Sequence, residues 1–130
     1  MLRRLKVLNF AVAERVELEL SSGFTALTGE TGAGKSILIE ALGFLLGARG
    51  SASWLRAGAG RLEVEGVFDA ADLPAELRER WGLPSSGVVT VRRELDAAGK
   101  TRAAVEGRPA PVAALAALGE AVADFHAQHE

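Results

Sequence analysis

The chain has 130 residues, of which 48% are hydrophobic and 25% charged, a composition that is typical of a globular domain and excludes general disorder. It has no cysteine, which excludes disulfides and thiolate metal sites, and its formal net charge of −2 gives no overall reason to expect nucleic-acid binding. No apolar run approaches the roughly 20 residues that a membrane-spanning helix needs.

Two β-strands are predicted at the start of the chain, over residues 2–10 and 13–20. The second alternates Val16, Leu18 and Leu20 with charged residues, which is the period of two that is typical of a half-buried strand. The short connection between them predicts an antiparallel pair. A turn at residues 21–23 then leads into a short apolar run, residues 24–28, which suits a buried strand.

The stretch from Gly29 to Ser36 fits the phosphate-binding pattern G-x-x-x-x-G-K-[S/T]. The residues that we predict to surround the phosphates are Gly29, Glu30, Thr31, Gly32, Ala33, Gly34, Lys35 and Ser36. Glycines let successive backbone N–H groups point at one anion, and a helix that begins at about Lys35 adds the positive end of its dipole. We expect Lys35 to reach the β- and γ-phosphates and the Ser36 hydroxyl to bind Mg²⁺.

The sequence after the motif supports this interpretation. Residues 36–46 suit a buried helix of about three turns, in which Leu38, Leu42 and Leu45 form a stripe for core packing. A strand, a glycine loop and a helix in this order are the arrangement that the motif requires. An unrelated glycine-rich turn beside a core helix is the less favoured interpretation.

The remaining chain predicts a mixture of helices and strands. Residues 47–60 are rich in glycine, alanine and serine and predict a loop near the nucleotide. The other predictions are a strand at 61–69, a helix at 74–81 with Asp72 as a possible N-cap and Gly82 beyond its end, a hairpin of strands 88–95 and 101–106, a short helix at 112–118 and a strand at 121–125. The fold class that follows is α/β, with a mostly parallel nucleotide-binding sheet core beside an antiparallel β-subdomain.

Five stretches of the sequence resemble one family. They are residues 5–11, 28–36, 41–49, 64–68 and 124–130. Together they resemble the start of RecN, a family of bacterial ATPases of DNA double-strand-break repair that is related to the SMC proteins. The last stretch departs slightly, because the family usually has glycine where Ala127 stands.

This resemblance implies a P-loop ATPase head of the ABC/SMC type, split by a long antiparallel coiled coil, of which residues 1–130 form the N-terminal lobe. It implies ATP and Mg²⁺ as ligands, with Gln128 contacting the metal and the attacking water. The implied partners are the C-terminal lobe of the same protein, the second head of a homodimer and DNA, with double-stranded ends expected. It also implies a bacterial cytoplasmic, nucleoid-associated location without a membrane partner, and a role in DNA repair and recombination in which ATP-driven head engagement is coupled to holding or joining DNA.

The sequence lacks two motifs that such a head needs for hydrolysis. It contains no Leu-Ser-Gly-Gly stretch and no run of four large apolar residues followed by Asp-Glu. In the implied arrangement, two heads trap ATP between the phosphate loop of one and the Ser-Gly-Gly loop of the other, and the glutamate that activates water comes from the absent lobe. We therefore expect this chain alone to hydrolyse ATP weakly or not at all.

Three groups of basic residues have competing interpretations. Arg56 lies where SMC heads carry an arginine that approaches the nucleotide, so it could stabilise charge on the transferred phosphoryl group, or it could be a solvated loop residue. Arg49 has the same two interpretations, with the solvated one favoured. Arg3, Arg4 and Lys6 could contact DNA phosphates, but a solvated strand face explains them more simply.

Other functional classes stay open from the sequence. A complete small P-loop phosphotransferase would use Asp124 to hold Mg²⁺, a transporter-type ABC subunit would carry the same phosphate loop, and a non-catalytic module would bind nucleotide only to change its association state. A metal site at His126, His129 and Glu130 is weakly indicated, because two histidines and one acid are an incomplete ligand set.

Overall fold

The computed structural model describes the backbone of residues 2–20 and 32–129, with side chains described for residues 2–20 and 36–123. The predicted strand at 24–28, and Gly29, Glu30 and Thr31 of the phosphate loop, lie outside the described residues. In the part that is described, no helix is both long and apolar enough to cross a membrane.

Six strands and three α-helices make up the described fold. They are β1 (Leu2–Phe10), β2 (Ala13–Glu19), α1 (Gly32–Leu45), β3 (Arg61–Asp69), α2 (Ala75–Trp81), β4 (Val88–Asp96), β5 (Thr101–Val105), β6 (Arg108–Pro109) and α3 (Val112–His129). The strands form one sheet in the order β2-β1-β3-β4-β5-β6, in which every pair is antiparallel. The predicted antiparallel β-subdomain, its first strand pair and its hairpin are therefore confirmed.

One face of this sheet is buried because apolar and polar residues alternate along the strands. The buried face of β3 carries Leu62, Val64 and Phe68, and the helix α1 packs against β1, β3 and β4. Between those side chains stands Gly66, where an added Cβ would lie 2.5 Å from Leu45 Cδ2. The sheet thus leaves room for α1 to approach closely, which fixes the helix that carries the phosphate motif.

The opposite face of the sheet is covered with paired charges. The three basic residues of β1 each have a carboxylate partner, in the pairs Arg3–Asp69 at 2.8 Å, Arg4–Glu19 at 3.3 Å and Lys6–Glu65 at 3.7 Å. Ion pairs on a solvated surface contribute little to stability. Their pairing favours the solvated strand face over a phosphate-binding surface.

The observed helices correct four sequence predictions. Residues 121–125 are not a strand, and the helix predicted to end at residue 118 continues to His129. The physical reason is composition, since alanine and leucine favour a helix and Ala114, Leu118 and Val122 bury one face at helical spacing. The other two corrections concern helix starts.

The first turn of α1 begins at Gly32, three residues before the predicted start. The N-cap of α2 is Pro74 and not Asp72, because Ala70–Asp72 already form a 3₁₀ turn and the carbonyl of Pro74 accepts the N–H of Arg78 at 3.0 Å. Gly82 ends α2 in the left-handed conformation, as predicted.

The C-terminal end of α1 packs against α3 at two glycines. Gly47 has φ +102° and ends α1, with its N–H bonded to the Phe44 carbonyl at 3.2 Å. A Cβ at Gly47 would lie 2.9 Å from the backbone of Ala116, and one at Gly119 would lie 2.9 Å from the Leu46 carbonyl oxygen. The two helices therefore meet through backbone atoms with no space for a side chain.

We expect Gly47→Ala to lower the free energy of unfolding by about 2–3 kcal/mol, because it adds a steric clash to a left-handed backbone. Gly58→Ala is the matched control, since Gly58 has φ +84° but open space around its Cβ position. It should cost only about 1 kcal/mol. Urea unfolding of both variants measures the difference, and equal losses would mean that the α1–α3 contact is not tight.

Candidate nucleotide-binding site

The N-terminal end of α1 is formed by the second half of the phosphate motif. Because α1 begins at Gly32, the backbone of residues 32–35 makes its first turn, whose N–H groups have no partner within the helix. That turn contains no acidic residue that would compete for an anion. The Ser36 side chain, one position further on, is exposed. The geometry suits binding of a phosphate group, while the Lys35 side chain lies outside the described side chains.

The helix α1 buries one side and leaves the other open. Leu38 and Leu45 are buried and Leu42 is partly buried, so the predicted core-packing stripe is confirmed. On the open side, Ile39 is 52% exposed and follows Ser36 by three residues. The face that carries the Ser36 hydroxyl therefore remains accessible to a ligand.

Arg56 lies on a segment that is attached to the end of β1. Leu55 forms a β-bridge with Phe10, and the Arg56 N–H donates to the Asn9 carbonyl at 2.9 Å. The carbonyl of Trp54 accepts from the N–H of Ala11. These backbone contacts hold the predicted loop at 47–60 in a defined position.

Neither Arg56 nor Arg49 makes an ion pair or a side-chain hydrogen bond with the residues that the structure describes. Arg56 is half-buried, whereas Arg49 is exposed. Arg102 on β5 shares this lack of a described partner and is also exposed. A half-buried guanidinium without a described partner is available to bind a phosphate group.

Arg93 is a residue that the sequence prediction missed. It lies on the buried face of β4, is 4% exposed, and donates from Nη1 to the carbonyl oxygens of Phe44, at 2.6 Å, and of Ala48. Its guanidinium also lies 4.1 Å from the centre of the Phe44 ring. Burial lowers the pKa of Arg93, yet an arginine stays charged at physiological pH. The alternation Val89, Val91, Arg93, Leu95 is the sequence signal that could have found it.

Residues 52–56 form what we call the Arg56 segment. Its Trp54 contacts Phe10 of β1 and Phe44 of α1, and we call these three rings the aromatic stack. Trp54 is stacked on Phe10 at a centroid distance of 5.1 Å and meets Phe44 edge-on at 5.9 Å. Trp54 is partly buried against the hydrophobic core.

The predicted site residues near the end of the chain lie on α3. Gln128 is in the last turn of this helix and Asp124 is one turn earlier, and the side chains of both lie outside the description. Asp124 therefore does not follow a strand, which a compact phosphotransferase would require. Within the described residues, no cluster of three or more histidines, cysteines or acids could hold a metal ion.

Comparison with known proteins agrees with the motif and the fold. A sequence profile described as an AAA domain matches residues 4–78. Over 133 aligned residues, which include all of this chain, the DNA repair protein RecN of Halalkalibacterium halodurans is 40% identical, and RecN of Vibrio cholerae is 40% identical over 131 residues. The chain spans 24% of each of these relatives. The resemblance to RecN is confirmed.

The fold is similar to that of SMC heads. A solved structure from work on ATP-driven dimerization and DNA-stimulated activation of SMC ATPases superposes with a TM-score of 0.72 and 24% identity, covering 94% of this chain and 79% of the other. This similarity confirms the SMC-type P-loop fold.

Proposed function

The chain belongs to the family of AAA domains. We propose that it is the nucleotide-binding lobe of an SMC-like ATPase head that acts in DNA double-strand-break repair. The observation that carries the proposal is the start of α1 inside the phosphate motif, with first-turn N–H groups that have no partner within the helix, no acid in that turn and an exposed Ser36. The similarity to RecN along the full chain supports the role in repair.

The residues of the motif have distinct roles in this proposal. The backbone from Gly29 to Gly34 surrounds the phosphates of ATP, and Lys35 neutralises the β- and γ-phosphates. Ser36 and Gln128 would hold Mg²⁺, whose positive charge would offset the negative charge of the phosphates. Arg56 stabilises the negative charge that spreads over the transferred phosphoryl group.

The chain by itself forms half of a catalytic site in this proposal. The Ser-Gly-Gly loop and the water-activating glutamate come from a C-terminal lobe and from the second head of a homodimer. ATP then joins two heads, and hydrolysis separates them. That cycle controls how the protein holds or joins DNA ends. The chain spans only 24% of each RecN relative, and this supports the proposed division of the site.

We expect Arg56→Ala in the full-length protein to lower kcat for ATP about 100-fold, because one fixed donor to the transition state is lost. The affinity for ATP should change only a few-fold, since the phosphate loop and Lys35 are untouched. Arg102→Ala is the matched control, as Arg102 is also an arginine without a described partner but is exposed on β5. Steady-state ATP turnover with and without double-stranded DNA measures the effect. An unchanged kcat in Arg56→Ala would remove Arg56 from the mechanism.

A further inference from the structure

The structure contains one buried charge that the proposed mechanism does not use. Among the described side chains, Arg93 is the only charged one that is buried. Within the described residues its Nε atom has no hydrogen-bond partner, and its described bonds go to backbone carbonyls rather than to a carboxylate. Burying a cation costs free energy unless partial negative charge compensates for it. The surrounding structure must therefore supply that negative charge to Arg93.

The compensating charge comes from the C-terminal end of α1. The end of this helix is closed by a bond from the Ala48 N–H to the Gly43 carbonyl at 3.0 Å. Arg93 adds bonds to the Phe44 and Ala48 carbonyls, where the helix dipole is negative. It also stacks on the Phe44 ring, which attracts a cation. Arg93 therefore attaches β4 to the end of the helix that carries Lys35 and Ser36 at its beginning.

The same contacts reach the segment that carries Arg56. Ala48, whose carbonyl Arg93 binds, begins the connection from α1 to that segment. Gly50 passes so close to Phe44 that an added Cβ would lie 2.6 Å from the ring. Trp54, two residues before Arg56, contacts the same Phe44 ring in an edge-to-face arrangement. Arg93 thus contacts the end of α1 directly, and the Phe44 ring on which it stacks contacts Trp54 in the segment that carries Arg56.

We propose that Arg93 is a positioning residue that sets the phosphate-loop helix and the Arg56 segment relative to each other. The inference rests on the proposed function, because the two groups that it aligns are the phosphate-binding residues and Arg56. The helix α1 is a rigid element about 21 Å long, so a displacement at its C-terminal end also moves the end that binds phosphate. Arg93 touches no substrate and acts through α1 and the aromatic stack.

The test is a double-mutant cycle in the full-length protein, with Arg56→Ala, Arg93→Met and the double variant. We expect Arg93→Met to lower kcat for ATP about tenfold with a change in KM below about twofold, because a misplaced group affects the transition state most. In the Arg56→Ala background, Arg93→Met should lower kcat no further. Equal factors in the two backgrounds would overturn the inference.

Arg92→Met is the matched control, since Arg92 precedes Arg93 on β4 but lies on the charged outer face, 3.7 Å from Glu94. It should leave kcat unchanged. Arg93→Lys keeps the experiment decisive if Arg93→Met does not fold, because lysine retains the charge but lacks the planar guanidinium that stacks on the Phe44 ring. Amide hydrogen exchange at residues 52–56 should be faster in Arg93→Lys than in the wild type, and kcat should fall. Unchanged exchange would overturn the inference.

The outcomes separate this inference from the proposed function. If the wild-type protein does not hydrolyse ATP, or if Arg56→Ala leaves kcat unchanged, the proposed function or the role of Arg56 fails. The exchange measurement then decides by itself whether Arg93 positions the segment.

Discussion

Lys35→Ala is expected to raise the Kd for MgATP at least about 100-fold and to reduce turnover below detection, because the only side-chain cation of the phosphate motif is lost. The fold should be unaffected. Residue 35 lies in the first turn of α1, where alanine is a strong helix former, and the core stripe begins only at Leu38. Isothermal titration with MgATP, together with urea unfolding, measures both quantities.

Lys100→Ala is the control for this variant. Lys100 is exposed in the connection between β4 and β5. Its N–H donates to Asp96 Oδ1 and its carbonyl accepts from the Asp96 N–H, so alanine retains both bonds. The Kd for MgATP should equal that of the wild type. If Lys35→Ala also binds MgATP with wild-type affinity, the assignment of the phosphate site is wrong.

Phe44→Ala is expected to lower the free energy of unfolding by about 3–5 kcal/mol. Phe44 is fully buried and its ring contacts the Arg93 guanidinium and Trp54. Removing the ring leaves a cavity between α1 and the Arg56 segment and takes away the aromatic surface beneath a buried cation. Urea unfolding monitored by far-UV circular dichroism gives the change.

Ile39→Ala provides the comparison on the same helix. Ile39 is 52% exposed, and alanine favours a helix more than isoleucine does. We expect its effect on the free energy of unfolding to stay within about 0.5 kcal/mol. Similar losses in the two variants would show that the contacts of Phe44 contribute nothing beyond those of a surface residue.

Strands β1 to β5 were predictable because apolar and polar residues alternate along them. In β3, Glu63 separates the buried residues Leu62 and Val64, and Glu65 follows, so the period of two places each side chain on the correct face. The phosphate motif was recognisable for a different reason, since its residue types and spacing follow from the chemistry of anion binding. Both signals are local, and local signals need no knowledge of the tertiary structure.

Arg93 was missed because two local signals conflict there. Its place in the alternation of β4 indicates a buried position, whereas its charge indicates an exposed one. The conflict is resolved only by the carbonyls at the end of α1 and by the Phe44 ring, which are about 45 residues away in the sequence. Such a contact depends on how the helix lies on the sheet and has no signature in the neighbouring residues.

The extent of α3 was mispredicted for a related reason. Gly119 directly follows residue 118, at which the helix was predicted to end, and a glycine at such a position commonly ends a helix. In the structure, Gly119 lies inside α3, at the close approach to the Leu46 carbonyl. A glycine that serves a packing contact cannot be distinguished in sequence from one that ends a helix. The short strand β6 was missed because two residues are too few to form a pattern.

The proposed division of the head implies that this chain binds ATP but holds only half of the residues that hydrolyse it. The most direct test compares ATP turnover of the 130-residue chain with that of the full-length protein, at protein concentrations above the Kd for MgATP. We predict that both bind MgATP through Lys35 and that only the full-length protein turns it over. Steady turnover by the 130-residue chain alone, abolished by Lys35→Ala, would contradict the divided head and would identify a complete small P-loop enzyme.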